Sequence, residues 1–130
     1  MLSPCNRLTS PVHFREVVRR GRRSGGPLMV VHLLAPPVER AHRGLPAAPR
    51  VGFVVSKAVG PAVTRNLVKR RLRHLARART RALPPHGMLV VRALPAAASA
   101  SYDDLARELD RCLAKVDVAV DLAVDTEVAG

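Results

Sequence analysis

Apolar and polar positions follow two patterns along this chain, helical spacing and short apolar runs, and each predicts its own kind of element. Phe14, Val17 and Val18 recur at helical spacing between Pro11 and Gly21, with Ser10 placed to cap and Pro11 at the first helical position. They predict a first helix that Gly21 stops. Leu28–Leu34 (LMVVHLL), Arg50–Ser56 (RVGFVVS) and Met88–Leu94 (MLVVRAL) are short runs rich in β-formers and read as strands. The second is almost wholly apolar, as a central strand would be. Pro61–Arg81 has apolar Val68, Leu72 and Leu75 on one side and predicts a long helix ended by Leu83-Pro84-Pro85. Ser101, followed by Asp103 and Asp104, opens a last helix expected to reach about Lys115.

The order is α-β-β-α-β-α, with room for one extra short strand. It predicts an α/β (α+β) two-layer sandwich built on a small sheet. A strand–helix–strand unit such as 50–94 is in general right-handed. Residues 1–116 form one domain, a size that suits one modest core. Residues 117–130 form an acidic tail, either disordered or a helical extension, with Asp117, Asp121 and Asp125 four apart. The stretch 35–50 is a Pro-rich connection. There are no internal repeats.

Charge changes the picture. The net charge is +12, and it is unevenly spread. Residues 1–102 hold nineteen Lys/Arg against Glu16 and Glu39, a net of +17, while 103–130 carry −5. A basic body with an acidic end points to a polyanion partner, with nucleic acid ahead of an anionic membrane surface. Codon bias alone would scatter the arginines, whereas here they cluster. Cys5 and Cys112 make neither a CxxC pair nor a disulfide framework, and read as free thiols in a reducing cytoplasm. The apolar run 28–34 is too short and too far into the chain for a signal peptide, and nothing reaches membrane-spanning length.

The densest cluster is KAVGPAVTRNLVKRRLR, residues 57–73. At ~100° per residue, Arg65, Asn66, Lys69, Arg70, Arg73 and Arg77 share one face opposite Val68, Leu72 and Leu75. Like charges three and four apart repel, and no acid is interleaved. That arrangement suits a face completed by phosphates. Gly60-Pro61 leaves the helix N-terminus open to a phosphate, with Lys57 beside it. Chemistry by the chain itself is not indicated. Two acids in 102 residues do not build a two-metal site, and His13, His32, His42, His74 and His86 lie on separate elements. A structural RNA-binding protein of ribosomal type would share the charge and the layered fold. The cationic helix has too few apolar residues beyond those its core needs to lie on a membrane.

VGFVVSKAVGPAVTRNLVKRRLR resembles the signature segment of the bacterial ribonuclease P protein family: a strand ending in Ser-Lys, a turn, then an Arg-Asn-Arg…Lys-Arg helix. NRLTSPVHFREVVRRGRR, from Asn6, resembles the family's opening helix, and GMLVVRALPAAASASYDDLARELDRCL, from Gly87, its last strand, link and helix. The resemblance covers roughly residues 5–115. It implies a left-handed β-α-β crossover, against the general rule. It also implies a ribonucleoprotein in which a catalytic RNA, with Mg2+ bound mainly by RNA, removes the 5′ leader of precursor tRNA. The protein, a monomer within that cytoplasmic particle, then binds both the catalytic RNA and the leader. Carried over, Arg65, Asn66, Lys69, Arg70 and Arg73 contact the catalytic RNA, and Arg71 and Arg77 extend that surface. Phe14, Val18, His32, Val55 and Lys57 line or flank the leader cleft, with Phe14 facing the cleft rather than the core. The chain departs from the pattern at Leu67, where the family has arginine, at Ala58, where a second lysine is usual, and at Val18 and His32, where many relatives have aromatics. Arg71, four residues after Leu67, either leans back to supply the missing guanidinium or is solvated surface charge.

Overall fold

The structure, a computed structural model, describes residues 7–35, 49–84 and 87–129, with the side chains of the last helix described to Val116. The Pro-rich segment 36–48 and residues Cys5, Glu39, His42 and His86 lie outside the described residues. Helix α1 spans Pro11–Arg20, β1 Arg22–Gly25, β2 Met29–Leu34, β3 Arg50–Val54, α2 Ala62–Arg79, β4 Met88–Ala93 and α3 Tyr102–Ala129. The extra short strand is β1, whose sequence RRSG carries no β-forming pattern. It exists because it pairs with β2, Arg23 opposite His32 and Ser24 opposite Val31. The last helix continues past Lys115, so the backbone of the acidic tail to Ala129 is helical.

The sheet order is β1-β2-β4-β3. The first two neighbouring pairs are antiparallel, and β3 and β4 run parallel, joined through α2. Alternation then sends side chains to two faces. Met29, Val31, Leu33, Val51, Leu89 and Val91 join the main core with Leu72 and Leu75 of α2 and Leu105 and Leu109 of α3. Val90 joins Leu8 and Val17 in a smaller core beneath α1, flanked by Phe14, Leu34, Val54 and Met88. So α2 and α3 cover one face and α1 covers the other.

The apolar strand 50–54 is therefore not central but at the edge of the sheet. Its hydrophobicity reflects cover on both faces, not its place in the strand order. Its outer edge takes a parallel bridge from Arg7 to Val51, with Leu8 N donating to the Val51 carbonyl at 2.9 Å. The chain's lead-in thus occupies an edge that would otherwise be open to pairing with another chain.

Helix starts agree with the sequence pattern to within a residue and partly in chemistry. Ser10 is the N-cap of α1 with an extended backbone, but its side chain makes no cap hydrogen bond. Ser101 does cap α3, its Oγ accepting from Asp104 N at 3.1 Å. A different acid ties α3 to the sheet. Glu108 is buried, and its Oε2 accepts from Leu28 N at 2.6 Å and Met29 N at 2.9 Å, while Oε1 accepts from Arg111 at 3.0 Å. A side chain at Gly26 would run into this carboxylate and Arg111, so the β1–β2 turn is shaped to admit it.

Removing the Glu108 carboxylate leaves two backbone N–H groups of the turn without their acceptor. Hydrogen bonds to charged groups contribute about 1.5–3 kcal/mol each and a stranded buried donor is costly. Glu108→Ala is expected to lower unfolding stability by about 3 kcal/mol, read as a shift in urea midpoint. An unchanged midpoint would show that the anchor is dispensable.

Candidate nucleic-acid interface

The interface begins at the end of β3. Lys57–Val59 form a 3-10 turn, and Gly60 follows with φ +153°, a conformation that L side chains rarely adopt. A Cβ there would also lie 3.2 Å from the Thr64 side chain. Pro61 is the N-cap of α2 rather than its first helical residue, and supplies no side-chain cap. The first turn of α2 therefore ends in backbone donors of the kind that receive anions, with exposed Lys57 beside it.

Along α2, Val68, Leu72, Leu75 and Ala76 are buried. Asn66, Arg70, Arg73 and Arg77 are exposed on the far side, and Arg65 and Lys69 are half-buried along the flank. Val63, Asn66, Leu67, Lys69, Arg70, Arg73 and His74 enclose an open groove of about 650 Å³. The ion pairs among the described residues are Glu16–Arg20, Arg79–Asp110, Asp104–Arg107 and Glu108–Arg111. None takes a cation from this face.

The other flank of α2 is neutralised by α3 and the link before it. Arg79 pairs with Asp110 through both its Nε and its Nη2, the latter at 3.0 Å from Oδ2. That guanidinium holds the Asp110 carboxyl below its ordinary range. His74 Nδ1 and the Tyr102 hydroxyl are 2.5 Å apart. Arg71 belongs to this flank too. Its Nη1 donates to the Ala100 carbonyl at 3.3 Å, so its guanidinium reaches sideways to the link rather than back over Leu67. The expected exchange of roles between Leu67 and Arg71 is therefore not what the fold builds. One residue step turns Arg71 about 100° away from Arg70, and an available carbonyl holds it there.

The residues expected around a second cleft are divided by the sheet. Phe14 and His32 lie on the α1 side, and Val18 is on α1 and exposed. Val55 packs against the main core on the opposite side, and Lys57 stands beyond the strand end. The Phe14 ring lies over Gly52, where any Cβ would strike it. Half-buried, Phe14 serves the small core and also lines a groove of about 290 Å³ with Arg7, Phe53, Lys69 and Arg73. The cationic helix and the α1 face thus meet in one groove at the β3 edge.

His32 is 7% exposed, and its Nδ1 is buried without a hydrogen-bond partner. Burial, then the exposed guanidiniums of Arg23 and Arg92, push its pKa below the ordinary value. Sequence reading missed Arg7, Arg23 and Arg92. Arg92 had a visible signal, the one charge in an apolar strand, and it faces the same side as Val90. Arg23 had none, because β1 was not legible. Among the described residues no three His, Cys, Asp or Glu gather as a metal site, and no helix is long and apolar enough to cross a membrane.

A small α+β domain with one unneutralised cationic helix face and an adjoining cationic groove is of the RNA-binding class. The ribonuclease P family model matches residues 2–117. The ribonuclease P protein component of a Nocardioides strain is 57% identical over 92% of this chain and 98% of that protein. That of Streptomyces bikiniensis is 54% identical over 89% and 95%. Among solved structures, the Staphylococcus aureus RNase P protein superposes with a TM-score of 0.71 at 23% identity, covering 85% of this chain and 96% of that one. The Thermotoga maritima protein gives 0.64 at 21% identity, covering 81% and 92%. The chain belongs to the ribonuclease P protein family, and its role is that of the protein subunit of ribonuclease P in tRNA processing.

The lowered pKa of His32 has a consequence for stability. Its ordinary value is 6.5, and the folded chain holds it lower. As pH falls below about 6.5 the unfolded chain takes up a proton before the folded one does, so acid favours unfolding. The stability present above that pH is lost as pH drops towards the folded value. His32→Leu is expected to lose less stability than the parent between pH 7.5 and 5.5, measured as melting temperature. Parallel losses in both proteins would mean that His32 titrates as if unburied.

Proposed function

We propose that the outer face of α2 docks the chain on a catalytic RNA and that the α1-side groove receives the 5′ leader of precursor tRNA. The observation that carries this reading is the sorting of charge on α2. Arg71 and Arg79 are held by Ala100 and Asp110, while Arg65, Lys69, Arg70, Arg73 and Arg77 have no acid partner among the described residues. Five unpaired cations repel each other on a helix and are stabilised when phosphates arrive. In the leader groove, Phe14 offers a stacking face with Arg7, Lys69 and Arg73 around it. On the sheet beside it, the exposed Arg23 and Arg92 flank buried His32 and offer two charges to the leader phosphates. Lys57 stands at the open end of α2, and Val55 supports the strand from the core side. The bond cleavage belongs to the RNA, with Mg2+ held mainly by RNA phosphates; supporting this, no three His, Cys, Asp or Glu gather as a metal site among the described residues. The particle works in the cytoplasm with one copy of this chain.

Purified chain is expected to leave precursor tRNA intact, and chain plus its ribonuclease P RNA to cleave it at low magnesium. Cleavage by RNA-free protein that survives nuclease treatment of the sample would place the chemistry in the chain. In the same complex, Arg70→Ala and Arg73→Ala should each reduce the slope of log affinity against log salt by about one. A slope unchanged in both would move the RNA contact off α2.

The leader is tested through Phe14. Because the ring also packs the small core, Phe14→Leu keeps an apolar side chain and removes only the aromatic face. It is expected to weaken binding of precursor tRNA by about 1–2 kcal/mol and to leave mature tRNA binding unchanged, measured on the reconstituted holoenzyme. Equal losses for both substrates would assign Phe14 to the core alone.

A further inference from the structure

The RNA-facing side of α2 is not uniformly cationic. Val63 is 82% exposed at its start, and Leu67 follows one turn later, about 40° round the helix. Both line the 650 Å³ groove, with Asn66, Arg70 and Arg73 around them. One exposed valine alone means little. Here, however, two aliphatic side chains are neighbours four residues apart, along the edge of a charged face near its start, within one concavity. A phosphate set against them would gain no ionic contact and would lose water. An uncharged flat group would gain apolar contact there while its flanking phosphates reached the arginines.

We propose that the Val63–Leu67 ridge seats an unpaired nucleobase of the partner RNA, with Arg70 and Arg73, along the cationic flank of the ridge, taking the adjoining phosphates and Asn66 reading the base edge. This rests on the docking of α2 against RNA. The occupant follows from complementarity: the surrounding charge selects a polyanion, and the apolar floor selects the one part of that polyanion that is flat and uncharged. In a continuous duplex the base faces are stacked away, so the ridge selects an unpaired position. The departure at Leu67, where arginine is usual, then alters what the helix recognises rather than only subtracting a charge.

The test uses the full chain with its own ribonuclease P RNA transcript, titrated at several salt concentrations. The Val63→Ser, Leu67→Ser double variant is expected to bind about fivefold more weakly, the loss of partly buried aliphatic contact, with the salt slope unchanged. Leu67→Arg is expected to bind more weakly despite its added charge. Parent-like binding by the double variant, or tighter binding with a steeper slope by Leu67→Arg, overturns the proposal and makes the ridge a bystander in a phosphate-binding face. Arg70→Ala separates this from the docking reading. If it weakens binding while the serine variants do not, docking stands and the ridge fails; if all bind like the parent, docking itself fails. Val63→Ser, altering an exposed side chain, also serves alone. Chemical probing should find an unpaired base protected by the parent chain and reactive again with Val63→Ser, and the absence of any such base counts against the ridge.

Discussion

Everything the α2 surface does depends on the burial of Val68, Leu72, Leu75 and Ala76 beneath it. A fully buried valine or leucine contributes about 1.5–3 kcal/mol. Like charges one turn apart on a helix cost about 0.2–0.5 kcal/mol per pair. Arg65–Lys69, Lys69–Arg73, Arg73–Arg77 and Arg70–Arg73 are such pairs, so their combined repulsion is smaller than the burial of one or two of these core residues. The apolar stripe therefore decides which way the helix faces, and the cations are carried outward unneutralised. The field is a by-product of packing that the fold can sustain.

The second constraint is where acids are allowed. Those whose side chains are described lie mostly on α3, and three of them are engaged away from the cationic face of α2. Asp110 neutralises Arg79, Glu108 binds the β1–β2 turn, Asp104 pairs with Arg107. Arg71 meanwhile donates to the Ala100 carbonyl in the link that leads into α3. One flank of α2 is thereby stitched to α3 through polar contacts, and the other is left for a partner. The acidic C-terminal segment 103–130 is thus not opposed to the basic body; through Asp110 it secures the back of the helix whose front is basic.

The β3 edge is where these features converge. Gly52 lets the Phe14 ring lie on the strand, Arg7 and Leu8 cover its outer edge, and Gly60 turns the chain from the strand into α2. The result is a groove with an aromatic floor and cations from both the lead-in and α2. On the proposed function, leader and catalytic RNA meet at this same edge.

What the sequence by itself determined was what repeats locally: the helical stripe at 68, 72 and 75, the three apolar strands, the cap at Ser101, and the facing of Arg65, Asn66, Lys69, Arg70, Arg73 and Arg77. Periodicity carries these because each rests on neighbours within a turn or two residues. The signature around Ser56-Lys57 and the Arg65-Asn66 helix carried the family. Only the tertiary structure decided the rest, because it depends on partners far along the chain. Strand β1 forms by pairing, not by propensity. β3 is at the edge although its sequence looks central, since cover on two faces and position in the order are independent. Glu108 is an anchor because the turn of a distant hairpin presents two N–H groups to it. Arg71 leaves the cationic face because a carbonyl from the link before α3 lies beside it, and Val55 is separated from Phe14 by the sheet because Phe14 sits on the helix that covers one face while Val55 packs with the main core on the other.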